Sequence, residues 1–267
     1  MQIVKAAMIG DIVGCRGLEA LEAALPALIN EERIDFVTVN GENAADGFGM
    51  TEKDYRRIIA SGADVVTSGN HIWEKREFWP VLESKNNMLR PENYPVGVPG
   101  RGFVCIEKNG IVWAVINLQG RELMNAIDCP FNCFDRCYGQ IKSFMNNQAE
   151  GKTPVIIIDF HAESSREKES LGFYADGRAS LVAGTHTHVQ TADERILPKG
   201  SAYITDLGMT GITESVIGMD PQICIERARK QVLYHMEIAS GKKQSQIHGI
   251  IAEIDADTGN AFSIKRI

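Results

Sequence analysis

Short runs of β-branched and other apolar residues alternate along the chain with longer segments that have the apolar spacing of a helix. This alternation is typical of β-α-β units and favours an α/β fold. The predicted strands are 3–9, 34–40, 64–68, 154–160, 180–184 and 201–205. The predicted helices are 18–31, 51–60 with Thr51 as its N-cap, 74–84, 132–148, 166–175 and 221–233.

Two predicted hairpins add antiparallel pairing to this order. Asn109-Gly110 lies between strand-like runs within 101–118, and this dipeptide is a strong signal for a tight turn. A second hairpin is expected over 249–267. We therefore predict two mixed β-sheets with helices outside them. The sequence contains no low-complexity stretch or Ser/Pro-rich linker, so residues 1–267 are expected to form a single domain.

Composition narrows the class of protein. The chain has 267 residues, of which 44% are hydrophobic, so it is long enough to bury a substantial core. Its formal net charge of −7 argues against a protein that grips duplex nucleic acid through many phosphates. The first residues lack the features of a signal peptide, and no apolar run approaches the ~20 residues needed to span a bilayer. We expect a cytoplasmic protein.

The cysteines and two of the histidines have ordinary structural explanations. Without an export signal, the cysteines are expected to be free thiols. Cys129, Cys133 and Cys137 are spaced by four, an interval that either gathers metal or packs one helix face. Packing is favoured because no CxxC pair or nearby histidine accompanies them. His235 falls in a helix-like segment and His248 in a strand-like segment; neither has a partner motif, and both are interpreted as structural.

Polar side chains follow the predicted strands at the point where each strand ends. Open α/β sheets bind their ligands at the carboxyl ends of the strands, so we expect these side chains to converge. In chain order they are Asp11, then Glu42 and Asn43, then Asn70 and His71, then His161, then His186 and His188.

Each of these residues also has a structural explanation. Asp11 suits a helix N-cap, Asn70 after Gly69 suits an ordinary turn, and Glu42 suits a helix end or the solvent. His186 and His188 lie two apart, so in extended backbone both rings point to one side, which alone leaves metal binding and ordinary packing equally open. The recurrence at five strand ends favours a binding site.

The ligand types indicate the metal chemistry. Two carboxylates, two amides and three imidazoles suit Mn, Fe, Zn or Co better than Ca or Mg, which prefer oxygen ligands alone. Seven ligands exceed one tetrahedral zinc site and fit two metals that share a bridge, an arrangement that clamps a phosphoryl group. The glycine-rich stretch at 10–17 lacks both the GxGxxG spacing and the lysine of a P-loop. We predict two divalent metal ions and phosphoester hydrolysis.

Seven motifs in order give the chain a resemblance to a known family. They are GDIVG, NGENAADGFGMT, TSGNHIW, RPENYP, DFHAESSREK, DGRASLVAGTHTHVQTADERILPKG and TDLGMTG. Over nearly its whole length the chain resembles the YmdB-like family of bacterial metallophosphoesterases. The resemblance implies a calcineurin-like four-layer α/β/β/α sandwich, a dinuclear Fe or Mn site, and phosphodiesterase activity on 2′,3′-cyclic and, more weakly, 3′,5′-cyclic AMP.

The resemblance also implies individual roles. One metal takes Asp11, Asn43 and His188, the other takes Asn70, His161 and His186, and Glu42 bridges them. His71 resembles the family's catalytic histidine, which stabilises charge on the phosphoryl oxygens or protonates the leaving alkoxide while a metal-bound hydroxide attacks phosphorus.

The chain departs from the broader calcineurin-like pattern in two places. Asp11-Ile12-Val13 replaces Asp-x-His, and Glu42 followed by Asn43 replaces the bridging Asp. Both departures are characteristic of the YmdB-like branch. They leave the identity of the first metal open, because an amide oxygen replaces an imidazole.

Two alternative functions stay open at the level of sequence. One is a regulatory nucleotide-sensing or scaffold protein with incidental hydrolysis, and the other is a single structural metal in an unrelated α/β enzyme. The expected partners are a small phosphodiester or cyclic-nucleotide substrate, with proteins of RNA metabolism and further copies of the chain as other candidates. Arg121 and Arg178 suit either a phosphate contact or a surface ion pair. Phe131 and Phe134 are expected to pack rather than to cap a pocket.

Overall fold

The computed structural model describes residues 2–148, 153–241 and 243–267. The strands are β1 Ile3–Ile9, β2 Asp11–Ile12, β3 Phe36–Asn40, β4 Val65–Thr67, β5 Phe103–Lys108, β6 Ile111–Gln119, β7 Val155–His161, β8 Leu181–Thr185, β9 Arg195–Ile196, β10 Ala202–Ile204, β11 Met209–Ile212, β12 Ser245–Gln246, β13 Gly249–Asp255 and β14 Ala261–Arg266. The helices are α1 Gly14–Glu32, α2 Glu52–Ala60, α3 Trp79–Ser84, α4 Pro130–Gln148, α5 Ser165–Ala175 and α6 Pro221–Lys230.

Both large sheets are mixed, as the sequence predicts. A five-stranded sheet has the order β14-β13-β1-β3-β4, with β1, β3 and β4 parallel and the hairpin β13-β14 antiparallel at one side. A six-stranded sheet has the order β5-β6-β7-β8-β10-β9, with β6, β7, β8 and β10 parallel and an antiparallel strand at each edge. The parallel strands bring several carboxyl ends to one edge of each sheet.

Three clusters of buried apolar side chains hold these elements together. The first contains residues from both large sheets, and within it Phe36 of β3 stacks on Trp113 of β6 with ring centroids 4.6 Å apart. The second joins the other face of the five-stranded sheet to α1 and α2. The third joins the other face of the six-stranded sheet to α4 and α5. The two sheets therefore pack on each other, and the helices cover their outer faces.

Helix boundaries follow local chemistry more than apolar spacing. Thr51 caps α2 as predicted, and it forms a reciprocal capping box with Asp54. The predicted helix over 74–84 is wrong in its first part: two 3-10 turns, Asn70–Trp73 and Arg76–Phe78, precede α3. α3 begins at Trp79 because Pro80 lacks an N–H and fits only the first turn of a helix.

The end of α6 also differs from the prediction. The helix stops at Lys230, where Gln231 adopts a left-handed φ of 55° and donates its N–H to Arg227 O. Residues 231–233 therefore lie outside the helix although they were predicted to belong to it, and His235 also lies outside it. His248 lies between β12 and β13 and not within a strand. A third, three-stranded sheet, β12-β11-β2, was not predicted because its strands are too short to show an alternating pattern.

Packing explains the residues left open around α4. Cys133 and Cys137 are buried in the third cluster, so the packing interpretation is the one that the structure favours. The Arg178 guanidinium lies 4.7 Å from the Phe134 ring centroid and 2.8 Å from Asp135 Oδ1, which makes it an ion-pair partner. Phe134 is fully buried in the same cluster. None of the helices in the described ranges is long and apolar enough to cross a bilayer.

Candidate metal centre

The carboxyl ends of five parallel strands meet at one place between the two large sheets. The five-stranded sheet brings in the residues that follow β1, β3 and β4, and the six-stranded sheet brings in the end of β7 and the residues that follow β8. The structure gathers the predicted site residues there through the contacts described below: Asp11, Glu42, Asn43, Asn70, His71, His161, His186 and His188.

His161 lies at the centre of one group. Its Nε2 atom is 3.0 Å from Glu42 Oε1, 3.1 Å from Asn70 Oδ1 and 3.0 Å from His186 Nδ1. One potential ligand atom from each of Glu42, His161 and His186 lies within 4.8 Å of the other two, which is the spacing of ligands around one cation. Both His161 and Glu42 are buried.

A second group adjoins the first through Glu42. Asn43 Nδ2 is 2.9 Å from His188 Nε2 and donates to Glu42 Oε1 at 3.3 Å. Asp11 Oδ1 lies 3.9 Å from His188 Nε2. A half-turn of the Asn43 amide exchanges its nitrogen and oxygen, and the oxygen is the atom that binds a cation. Glu42 thus touches both groups, which is the position required of a bridge.

A buried carboxylate fixes the ring of His161 from behind. His161 Nδ1 is 2.9 Å from Thr185 Oγ1, and this hydroxyl donates to Asp159 Oδ1 at 2.7 Å. The other Asp159 oxygen accepts from Asn40 Nδ2 and Thr67 Oγ1, which belong to the opposite sheet. Because the single Thr185 proton goes to Asp159, the hydroxyl accepts from Nδ1–H of His161, and the lone pair of Nε2 is left for the site.

The other two imidazoles are held in the same manner. His186 Nε2 is 3.2 Å from Glu163 Oε2, and His188 Nδ1 is 2.8 Å from the carbonyl oxygen of Ile217. Each ring therefore has an oxygen partner on its outer nitrogen, which orients the inner nitrogen towards the site. Glu163 was not predicted, although it follows His161 by only two positions.

The backbone of the histidine pair differs from the prediction. β8 ends at Thr185, and His186 and His188 have φ values of 102° and 64°. Neither residue is extended, so the expectation that the two rings share one side of a strand is wrong. The left-handed turn instead sends His186 to the group around His161 and His188 to the group around Asp11. Left-handed backbone is unfavourable for residues other than glycine, so contacts with surrounding residues must stabilise this turn.

His71 lies beside the cluster. Its backbone N–H donates to Glu42 Oε2 at 3.2 Å, which fixes the start of the 3-10 turn against the proposed bridge. The ring packs edge-on against Phe48 with centroids 5.0 Å apart, and Nδ1 lies 3.6 Å from Glu74 Oε1. The side chain is 28% exposed, so it is accessible to a ligand.

Two features indicate that a cation fits here. Among the described residues, no donor reaches the buried Oδ1 atoms of Asp11 and Asn43, and an oxygen removed from water without a partner is costly. The absence of a side chain at Gly69 lets Glu42 and His161 approach its backbone closely. A Cβ atom there would lie 2.3 Å from Glu42 Oε2 and 2.2 Å from His161 Cδ2. The glycine is therefore needed for this close approach, not for a left-handed turn. The alternative of Asp11 as an N-cap is excluded, because Val13 occupies that position of α1.

Burial and crowding move the pKa values of the cluster in opposite directions. Burial raises the pKa of Asp11 to about 6, against the effect of His188 and His161. Burial would also raise the pKa of Glu42, but the adjacent His161 lowers it to about 2. Burial would lower the pKa of His161, yet Glu42 raises it to about 9. Burial and the neighbouring His161 lower the pKa of His186 to about 3. A divalent cation competes with the shared protons for these ligand atoms.

Comparison with known proteins gives consistent matches along the chain. The family of YmdB-like proteins matches residues 7–267. The 2′,3′-cyclic-nucleotide 2′-phosphodiesterase of Bacillus subtilis (strain 168) is 46% identical over 259 residues, which are 97% of this chain and 94% of that protein.

Two solved structures agree with the fold over nearly the full length. A hypothetical protein from Thermus thermophilus superposes with a TM-score of 0.88 and 36% identity, covering 99% of this chain and 98% of the other. A novel phosphatase from Mycoplasma pneumoniae superposes with a TM-score of 0.88 and 31% identity, covering 100% of this chain and 93% of the other.

Proposed function

Because this chain belongs to the YmdB-like protein family, we propose that it is a metal-dependent phosphodiesterase that hydrolyses cyclic nucleotides of the 2′,3′ type. The B. subtilis relative carries that activity in its name, and its likeness to this chain extends over 97% of the residues. Activity on 3′,5′-cyclic AMP is proposed as a weaker second reaction.

One observation carries the proposal. Two groups of buried and half-buried imidazole, carboxylate and amide groups share Glu42, and Asp11 Oδ1 within them is buried without a donor among the described residues. We propose that Asp11, Asn43 and His188 hold one divalent ion, that Asn70, His161 and His186 hold another, and that Glu42 bridges them. The mixture of nitrogen and oxygen ligands favours Mn or Fe, with Zn or Co as alternatives.

The chain's own side chains prepare the site for a phosphodiester. Such a metal pair, when bound, lowers the pKa of water and stabilises the attacking and leaving oxygens of an in-line displacement. Outer partners such as Thr185, Glu163 and the Ile217 carbonyl keep the imidazoles in the tautomer that binds metal. The fixed rings need little rearrangement when charge develops on the substrate.

His71 is proposed to act directly on the substrate. Its Nδ1 atom is buried and lies 3.6 Å from Glu74 Oε1, so Nε2 is the nitrogen that we assign to the phosphoryl or leaving oxygen. The hydrogen bond from its backbone to Glu42 ties its position to that of the bridge. A protonated ring at this place donates to the leaving alkoxide or to a phosphoryl oxygen.

The architecture fits the same proposal. The three apolar clusters join helices to the five-stranded sheet, the two sheets to each other, and the six-stranded sheet to further helices. We propose that this order corresponds to the calcineurin-like four-layer α/β/β/α sandwich. In this architecture the proposed metal ligands lie between the two sheets, at the carboxyl ends of their parallel strands.

The proposal is tested by metal content and turnover measured on the same preparations. Full-length protein, loaded with Mn²⁺ or Fe²⁺, is assayed on 2′,3′- and 3′,5′-cyclic nucleotides and on phosphomonoesters. Asp11→Asn is expected to lower bound metal and turnover together, because it removes a charged ligand. His71→Ala is expected to keep its metal and to lose about 10²- to 10⁴-fold in kcat, the usual contribution of a proton donor.

His235→Ala is the matched control, since His235 is exposed and lies outside the cluster. It is expected to keep both metal and turnover. Full activity in His71→Ala would remove this residue from the mechanism. Metal-loaded wild-type protein that binds a cyclic nucleotide without hydrolysing it would instead support a regulatory sensor.

A further inference from the structure

A buried ion pair lies behind the turn that carries His186 and His188. Lys168 Nζ of α5 is 2.6 Å from Asp206 Oδ2, and each side chain is only 1% exposed. Buried charges of this kind are costly to desolvate, and hydrophobic replacement of such a pair is often neutral or stabilising. The pair therefore needs an explanation beyond stability.

Asp206 reaches the histidine turn directly. Its Oδ2 atom accepts from the backbone N–H of Thr187 at 3.1 Å and from Thr187 Oγ1 at 2.8 Å. Its Oδ1 atom accepts from Gly208 N–H at 2.8 Å, which fixes the carboxylate in the loop after β10. Thr187 is the residue between His186 and His188, whose φ values are positive. The Asp206 carboxylate thus hydrogen-bonds to Thr187, the central residue of this strained turn.

The local sequence makes room for Lys168. At Gly184, a Cβ atom would lie 2.8 Å from Lys168 Cδ and 1.8 Å from the carbonyl oxygen of Thr205. Lys168 and Asp206 come from the motifs DFHAESSREK and TDLGMTG, and neither belongs to the predicted ligand set. The lysine passes across the end of β8 to neutralise Asp206, so the pair supports the site from behind the turn.

We propose that Lys168 and Asp206 are positioning residues that hold the His186-Thr187-His188 turn in the geometry that binds metal. This inference rests on the proposed metal site and adds the residues that stabilise the positions of two of its ligands. Lys168 pairs with the buried Asp206 and orients its carboxylate, and Asp206 holds Thr187 through both its backbone and its hydroxyl. The strain of the two left-handed residues is thereby opposed by charge-assisted hydrogen bonds.

Two double variants separate this role from simple packing. Lys168→Met with Asp206→Leu replaces the pair by apolar side chains of similar size. It also removes the carboxylate oxygen that accepts hydrogen bonds from the backbone N–H and the hydroxyl of Thr187. Lys168→Met with Asp206→Asn also removes both charges but retains one oxygen for the Thr187 N–H. Lys108→Met is the control, because it breaks a different ion pair, to Asp64 at 2.8 Å, at the opposite end of β4.

The measurements are the Mn²⁺ dissociation constant of the metal-stripped full-length protein, its unfolding midpoint, and kcat and KM on a cyclic nucleotide. We expect the leucine variant to keep an unfolding midpoint close to that of the wild type in metal-free buffer. It should bind Mn²⁺ about 10- to 100-fold more weakly, the usual effect of losing an outer partner of a metal ligand. The asparagine variant should recover most of that affinity, and Lys108→Met should bind Mn²⁺ as the wild type does.

The outcomes discriminate between the two levels of the proposal. Wild-type Mn²⁺ affinity in a folded leucine variant would overturn the positioning role while leaving the metal site intact. Equal loss in the leucine and asparagine variants would also overturn it, because the retained oxygen would then have no effect. Failure of the wild type itself to bind metal would instead refute the proposed function.

Discussion

The buried carboxylate of Asp11 should destabilise the protein when no cation neutralises it. Burial raises its pKa from 3.8 to about 6, and such a shift corresponds to about 3 kcal/mol of unfavourable ionisation at pH 7. Asp11→Asn removes this charge but leaves a buried amide, which itself costs about 1 kcal/mol or more if unpaired. We therefore expect the metal-stripped variant to be more stable than the metal-stripped wild type by about 1 to 3 kcal/mol.

The assay is thermal unfolding of stripped and Mn²⁺-loaded protein between pH 4 and 8. For a chain of this size, 1 kcal/mol moves the midpoint by about 2 to 4 °C, so the stripped variant should melt about 2 to 12 °C above the stripped wild type at pH 7. An acid whose pKa is raised on folding loses stability as pH rises through the interval from 3.8 to about 6. The advantage of the variant should therefore be full above that interval and disappear below it.

Metal should reverse the order. Mn²⁺ stabilises whichever protein binds it in the folded state, by mass action, so the wild type should gain a midpoint shift that Asp11→Asn largely lacks. The reasoning would be refuted if the stripped variant melted at or below the stripped wild type at pH 7. Equal shifts of both proteins on addition of Mn²⁺ would refute the assignment of Asp11 as a ligand.

Three further results are expected. Thr185→Val removes the hydroxyl between His161 and Asp159, and a Mn²⁺ titration should show about 10- to 100-fold weaker binding; unchanged affinity would mean that the hydroxyl does not orient the ring. Gly69→Ala places a methyl group 2.3 Å from Glu42 Oε2, so elemental analysis should find little bound metal, whereas full occupancy would contradict the close approach. His248→Gln removes an imidazole whose pKa is lowered below 6.5 by burial, so this imidazole destabilises the folded wild type as the pH falls below 6.5. Urea unfolding should therefore show a smaller loss of stability at acid pH in the variant than in the wild type. Identical pH profiles of the two proteins would contradict this.

The order of the strands was sufficient to predict that the residues at their carboxyl ends lie close together. Parallel strands carry their carboxyl ends to one edge, so Asp11, Glu42 and His161 were expected to converge without any knowledge of distances. The alternation of strands and helices likewise predicted two mixed sheets, and Thr51 predicted the start of α2. These features depend on local periodicity and on residues near in sequence.

The features that sequence did not predict depend on contacts between distant segments. The left-handed turn at His186 is held by Asp206, which comes twenty positions later and belongs to another loop. The ring of His161 is oriented by Thr185, which in turn hydrogen-bonds to Asp159. The sequence did contain one signal for Asp159, because it is a charged residue within an otherwise apolar strand. A partner such as the Ile217 carbonyl has no sequence signal, because every residue has that group.

Asp159 also ties the site to the way in which the chain folds. Its carboxylate accepts from Asn40 and Thr67 of the five-stranded sheet and from Thr185 of its own sheet, so both halves of the molecule converge on one buried group. In a species in which each sheet has formed but the two have not yet docked, one sheet would carry four of the seven proposed metal ligands and the other sheet would carry three. Metal uptake during refolding should then be a late event that reports the docking of the sheets, and a cation in the medium should select fully docked molecules from that population.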